Sequence, residues 1–184
     1  MRKAFLKAGV LIGGLVSTAA APASSLLDYV GQCVPFARAA SGIQIFGDAW
    51  TWWDQAEGRY DRGSRPRVGS VIVFSKTARL PYGHVAVVSR VVERRTVMLT
   101  HANWSRQNGQ RGRAEQDVTL HDVSDDNDWS AVKVWYRDNE GLGGGIYPVK
   151  GFIHGGKPAR ELTGTDPDYV GALIDSYVPG IRAR

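Results

Sequence analysis

The only cysteine of the chain, Cys33, lies where a thiol can act as a nucleophile. Pro35 lacks a backbone N–H and presets a helical φ, so the residues after it predict a helix that begins near Cys33 and stops at Gly42. Unpaired N–H groups in the first turn of a helix lower a thiol pKa and can hold an oxyanion. The alternative is a buried structural thiol, which is the commoner role of a lone cysteine in a cytosolic protein.

Two of the four histidines occur in a pattern that suits a general base and its partner. His84 opens a predicted strand directly after a turn, which places its ring at the end of a rigid element. His101 and Asn103 alternate onto one face at the end of the next predicted strand, and a hairpin brings both within reach of His84. A cysteine, a base and a polar residue that orients the base are the parts of a thiol hydrolase. His121 and His154 have no such context, and we take them as structural.

The first 23 residues have the order of a secretory signal peptide. Arg2, Lys3 and Lys7 precede an apolar run over residues 8–16, and a cleavage site follows at residues 21–23, Ala-Pro-Ala. The apolar run is shorter than the roughly 20 residues needed to span a bilayer. We therefore expect a periplasmic or secreted protein with no stable membrane span after cleavage. In such a compartment a single unpaired cysteine is unusual, which favours a reactive role.

The charge of the chain argues against a nucleic-acid partner. Lys and Arg number 23 against 18 Asp and Glu, and removal of the three basic residues of the leader leaves 20 against 18. A nearly neutral mature chain does not indicate nucleic-acid binding. The acidic run at residues 125–128 lacks the glycine and the closing glutamate of an EF-hand loop, so it predicts a capped turn. We expect a monomer with no cofactor and no metal.

Helical patterns come first in the mature chain and strand patterns follow. After the helix at Cys33, a second helix is predicted over Ala49 to Glu57, closed by Gly58. Alternating or continuous β-branched runs then predict six strands, at residues 70–74, 84–92, 96–103, 117–123, 131–136 and 147–153. This order indicates an α+β domain, with N-terminal helices packed on an antiparallel sheet of about six strands.

Aromatic residues are concentrated near the predicted nucleophile and base. The second helix carries Trp50, Trp52 and Trp53, and at least one or two of these indoles are expected to pack the core. Others can line a groove and stack on a sugar ring or a peptide. We expect substrate contacts from Trp50, Trp53, Trp104 and Tyr82.

Four stretches together resemble the CHAP domain, the cysteine, histidine-dependent amidohydrolase/peptidase family. They are Gly31-Gln32-Cys33, Gly47 to Trp53, Val68 to Phe74 and Gly83 to Val88, and the resemblance runs from about Tyr29 to Tyr136. It implies a papain-like α+β core of the NlpC/P60 type, with Cys33 as nucleophile and His84 as base. We also expect Gln32 to hold or position an oxyanion.

This chain departs from the family at the third catalytic position. Many members carry Glu-x-Asn on the strand after the histidine, whereas here His101 stands where the glutamate would and Asn103 matches the asparagine. Either residue could orient His84. We favour His101, because one hydrogen bond from an imidazole fixes the tautomer of the His84 ring.

The resemblance implies cleavage of amide bonds in peptidoglycan through an acyl-enzyme on Cys33, which suits an exported enzyme. The sequence does not separate an N-acetylmuramoyl-L-alanine amidase from a peptide endopeptidase. Two alternatives are a catalytically silent cell-wall-binding module and an amidase that acts on a non-wall peptide conjugate. The predicted organisation is a signal peptide over residues 1–23, a CHAP-like catalytic domain over 24–154 and a tail over 155–184 with a short helix at 168–177.

Overall fold

The structure is a computed structural model that describes residues 31–155. The predicted signal peptide and the predicted C-terminal helix lie outside the described residues. The described helices are α1 (Cys33–Ser41) and α2 (Trp52–Gln55). The strands are β1 (Asp61–Gly63), β2 (Val71–Phe74), β3 (His84–Glu93), β4 (Thr96–Ala102), β5 (Ala114–Asp122), β6 (Ala131–Tyr136), β7 (Gly141–Leu142) and β8 (Tyr147–His154).

Six of the strands close into an antiparallel barrel. Their order is β8-β2-β3-β4-β5-β6, and β6 pairs back onto β8, with Ala131 opposite Pro148 and Val132 opposite Tyr147. Strand β1 adds to the outer edge of β8, and β7 adds to β6. Closure removes the free edges that an open sheet would leave.

The expected α+β fold, with helices on an open papain-like sheet, is therefore wrong. The described chain is mostly β-structure around a closed barrel, with two short α-helices. Six of the eight strands correspond to the predicted ones, and β1 and β7 were not predicted. Strand β8 pairs with both β2 and β6, and that double pairing closes the barrel. A bulge in the β2–β8 register, at Val73 and Phe74, accompanies the bend of the strand.

Alternate side chains of the barrel strands pack on opposite sides. The inward set comes from all six barrel strands and includes Ile72, Ala86, Leu99, Leu120, Val134 and Phe152. The outward set of β2 and β3, which includes Val71, Val73, Val85 and Val87, packs with Phe36, Ala37 and Ala40 of α1. The helix that carries Cys33 is thus held against the outside of the barrel by apolar burial.

The structure matches the first predicted helix more closely than the second. Helix α1 begins at Cys33 and ends at Gly42, whose φ of 75° and N–H bond to the Arg38 carbonyl form a left-handed cap. The second segment is a 3-10 turn over Ala49–Thr51 followed by the single α-turn of α2, and it is shorter than expected. No helix within residues 31–155 has the length and apolar character needed to cross a membrane.

Candidate active site

Cys33 is half-buried and is the first residue of α1. Burial raises the pKa of its thiol, while the backbone N–H groups of Val85, Val34 and Cys33 itself lower it by less. The net pKa lies above the ordinary value of 9.0. The helix end thus acts in the expected direction, but the expectation of a lowered thiol pKa was wrong because desolvation outweighs it. The contact with Val85 places the sulfur beside the residue that follows His84.

His84 lies at the first position of β3, in phase with the inward-facing Ala86 and Val88, and is 3 % exposed. Its ring packs against Phe74 and Trp104, with ring centroids 5.5 Å and 4.9 Å away. Burial, followed by electrostatic interaction with His101 and Arg111, lowers the pKa of His84 well below its ordinary value. The imidazole is therefore neutral at neutral pH and free to accept a proton.

His101 is the residue that contacts the His84 ring. His84 Nε2 lies 3.1 Å from His101 Nδ1, and both rings are buried. On its other side, His101 Nε2 lies 3.4 Å from Glu115 Oε2. That separation is long and poorly aligned, so among the described residues this nitrogen has no partner with full hydrogen-bond geometry. The two histidines and the glutamate form one continuous row of polar groups.

Sequence reasoning missed Glu115. The loop was expected to run to this residue and the strand to begin at Asp117, whereas β5 begins at Ala114. Polar residues hide the start of the strand, and Asp117 has a φ of 52° that interrupts its regularity. The pairing register would have found the residue, because Glu115 lies directly opposite His101.

Asn103 bonds to Gln32, the residue that precedes Cys33. Its Nδ2 donates to Gln32 Oε1 at 2.7 Å, and its backbone N–H donates to the Arg113 carbonyl. Its φ of 67° is left-handed, a conformation that asparagine adopts more readily than most residues. This bond occupies the side-chain oxygen of Gln32, the residue next to Cys33, and leaves its amide N–H groups available as donors.

Residues 24–103 match the family model of the CHAP domain. Over these residues the chain is similar to the CHAP domain. The family is a cysteine/histidine-dependent amidohydrolase/peptidase domain of the NlpC/P60-like class, so the predicted resemblance is confirmed, and the similarity suggests amidohydrolase or peptidase activity. The match includes Cys33, His84, His101 and Asn103, and it ends before Glu115.

Two solved structures are distantly similar to this chain. "The crystal structure of Ly7917" is 16% identical, covers 74% of this chain and 91% of its own, and has a TM-score of 0.33. "The crystal structure of Ly7917 with the hydrolyzing product of MDP" is 15% identical, covers 74% and 92%, and has a TM-score of 0.31. No curated protein matches the chain.

Two of the expected substrate-binding residues lie beside His84. Trp50 donates its backbone N–H to the Tyr82 carbonyl at 3.1 Å, two residues before His84. The Trp50 and Tyr82 side chains are 37% and 68% exposed. Gly83 permits this close approach, since a Cβ there would lie 2.7 Å from the Trp50 nitrogen. Two exposed aromatic residues therefore lie close to His84 in the structure.

The other two, Trp53 and Trp104, lie elsewhere in the structure. Trp53 lines an open groove of about 780 Å³ together with Tyr60, Arg62 and Lys150, and the Arg62 guanidinium lies 4.9 Å from its ring. Trp104 is 4% exposed and donates its indole N–H to the Trp135 carbonyl. It packs on both histidine rings, so its position does not favour the expected contact with substrate.

The remaining polar candidates serve local structure in the part of the chain that the structure describes. His121 Nδ1 lies 3.0 Å from Thr96 Oγ1. The acidic run forms a turn in which the buried Asp122 carboxylate accepts from Ser124 and Asn127. Within residues 31–155 no group of three or more His, Cys, Asp or Glu side chains is placed to hold a metal.

Proposed function

We propose that this chain is an exported thiol hydrolase that cleaves an amide bond in peptidoglycan, with Cys33 as nucleophile and His84 as base. The observation that carries the proposal is the 3.1 Å contact between His84 Nε2 and His101 Nδ1. It occupies one ring nitrogen of a neutral imidazole and leaves Nδ1 to accept the thiol proton. The sulfur borders Val85, the next residue on the same strand, whereas the His84 ring is in phase with the inward-facing side chains, so the proposal requires the ring to reach the sulfur from the start of β3.

The reaction starts from a neutral thiol and a neutral imidazole. The Cys33 proton passes to His84 as the sulfur attacks the carbonyl carbon of the substrate amide. The resulting oxyanion meets the N–H groups at the start of α1 and the side-chain amide of Gln32. When the tetrahedral intermediate collapses, the C–N bond breaks and the amine leaves with the proton from His84. Water then attacks the thioester, again with His84 as base, and releases the acid and the free thiol.

Cell-wall peptide is the proposed substrate for two reasons. The order of basic, apolar and small residues over positions 1–23 is typical of an exported protein, and peptidoglycan lies in that compartment. Trp50 and Tyr82 offer exposed aromatic faces beside His84, and such faces stack on sugar rings and on peptide groups.

Digestion of purified peptidoglycan, with product analysis by mass spectrometry, tests this proposal. An amidase releases stem peptides with a free L-alanine amine, whereas an endopeptidase leaves the stem attached to the sugar. Cys33→Ala and His84→Ala should each abolish release, and the double variant should be no worse than either, because the two residues act as a unit. Activity retained by a folded single variant would refute the assignment.

A catalytically silent wall-binding module is the second candidate, and the raised pKa of the Cys33 thiol is the observation that favours it. Such a module would sediment with peptidoglycan and release nothing. An amidase for non-wall conjugates would instead leave peptidoglycan intact and hydrolyse small N-acyl amino acids or peptides. The same purified protein, assayed on both substrates and in a pull-down, separates these three outcomes.

A further inference from the structure

We propose that Glu115 is a positioning residue of this site, which fixes the His101 tautomer and stabilises the proton that His84 receives. The inference rests on the proposed function for the identities of nucleophile and base. It concerns a residue that lies outside the matched CHAP segment.

The distances define the direction of each N–H in the row. If His84 Nδ1 is to accept the thiol proton, the hydrogen of the neutral ring must be on Nε2, and His101 Nδ1 at 3.1 Å must be the acceptor. The hydrogen of His101 is then on Nε2, which lies 3.4 Å from Glu115 Oε2. A carboxylate only accepts, so at this distance the charge of Glu115 favours the tautomer of His101 that the proposed reaction requires.

Glu115 is itself held in place. It is 4% exposed, and it lies opposite His101 in the pairing of β4 with β5. The Ser105 N–H donates to Oε2 at 3.1 Å, and Arg137 lies 3.2 Å from Oε1. Burial raises the pKa of the carboxyl, but the interactions with His101 and Ser105 lower it by more, so the pKa is below its ordinary value. The group is therefore an anion at the end of the row.

The electrostatic surroundings explain why an anion is useful there. When His84 takes the proton, a positive charge forms in a buried pair that already has Arg111 as a positive neighbour. Arg137, bound to the far side of Glu115, is positive as well. The Glu115 carboxylate opposes these charges and favours the protonated state of the two rings. Loss of its charge should therefore make thiolate formation harder.

Alkylation of Cys33 by iodoacetamide tests the inference without any substrate. Cys33 is the only cysteine of the chain, so intact mass reports its modification directly. We expect Glu115→Gln to slow alkylation about tenfold at about pH 6.5, as for loss of a charge-assisted hydrogen bond, and to move the pH profile upward. Glu115→Asp, which keeps the charge, should recover part of the rate.

Arg137→Gln is the matched comparison, because it removes the other partner of the same carboxylate. If the role of Glu115 is electrostatic, removal of the positive Arg137 should not slow alkylation of Cys33. The alkylation rate of Arg137→Gln should then equal or exceed that of the wild type. A merely structural role predicts that both variants slow alkylation. If Glu115→Gln fails to fold, Glu115→Asp and Arg137→Gln still decide between the two roles.

The inference is overturned if folded Glu115→Gln keeps the wild-type profile, or if the Glu115 and Arg137 variants shift in the same direction. Neither result bears on whether peptidoglycan is cleaved. Conversely, a wild-type protein that fails to digest peptidoglycan, while Glu115→Gln still slows alkylation, would refute the proposed function and leave the role of Glu115 standing.

Discussion

Replacement of His101 by leucine tests which residue orients the base. Leucine has a similar volume and no nitrogen, so it removes the 3.1 Å contact to His84 while it keeps the packing on Trp104. The Glu115 carboxylate retains Arg137 and the Ser105 N–H. The main loss is the acceptor for His84 Nε2.

The expected loss in kcat follows from the burial of His84 Nε2. A buried donor left without a partner costs about 1–3 kcal/mol. If this cost falls on the orientation of the base, kcat decreases about 5- to 150-fold, at about 1.4 kcal/mol per factor of ten. KM should change little, because the closed row of rings lies within the protein and His101 itself is 0% exposed.

The assay is steady-state hydrolysis of a soluble peptidoglycan fragment, with the melting temperature of each variant measured in parallel. Asn103→Gly is the control, since glycine accepts the φ of 67° and the change removes the 2.7 Å bond to Gln32. That neutral, solvent-exposed bond is worth about 0.5–1.5 kcal/mol, or about 2- to 10-fold in rate. A His101→Leu kcat within twofold of wild type, beside a larger loss for Asn103→Gly, would contradict the assignment and exchange the two roles.

Three further predictions follow from the geometry near the base. Gly83→Ala should lower the free energy of unfolding by more than Gly58→Ala in urea titrations. Both glycines have a left-handed φ, which costs an alanine about 1–2 kcal/mol. A Cβ at Gly83 would also lie 2.7 Å from the Trp50 nitrogen, whereas a Cβ at Gly58 has nothing within 4 Å. Equal losses would show that the contact relaxes freely. Trp50→Ala should raise KM about 2- to 10-fold with little change in kcat, as for loss of one aromatic contact, and an unchanged KM would remove Trp50 from the substrate path. In the folded protein the pKa of His84 is below its ordinary 6.5, so the unfolded chain binds the proton first as the pH falls. The free energy of unfolding should therefore decrease below about pH 6.5, by up to about 1.4 kcal/mol per pH unit. His84→Gln should flatten that slope in unfolding curves measured at several pH values.

The local parts of the site could be predicted because each depends on neighbours in sequence. Pro35 and Gly42 delimit α1, and the hairpin of β3 and β4 follows from two β-branched runs with a short turn between them. The contact of His84 with His101 depends on those elements alone. Glu115 depends instead on a strand that starts within a polar stretch, and no alternation of apolar residues indicates where that strand begins.

The fold class could not be predicted for a related reason. The strands β2 to β6 were recognised from their own residues, but the pairing of β6 with β8 is set by contacts between distant segments. An antiparallel run of strands has the same alternation in an open sheet and in a barrel. Both faces of β2 are buried, one against the helices and the other in the barrel interior. This double burial depends on the ring that β8 closes.

Closure by the last strand has a consequence for the order in which the protein is made. Cys33 is synthesised early, its proposed base at residue 84 follows, and Glu115 comes later still. Residues 147–154, which join β2 to β6, emerge after all of them. Pairings this distant in sequence form slowly, and an incomplete chain cannot make them. The barrel that encloses His84, His101 and Glu115 is therefore complete only after residue 154 has been made, so a truncated chain leaves this row of polar groups without its final enclosure.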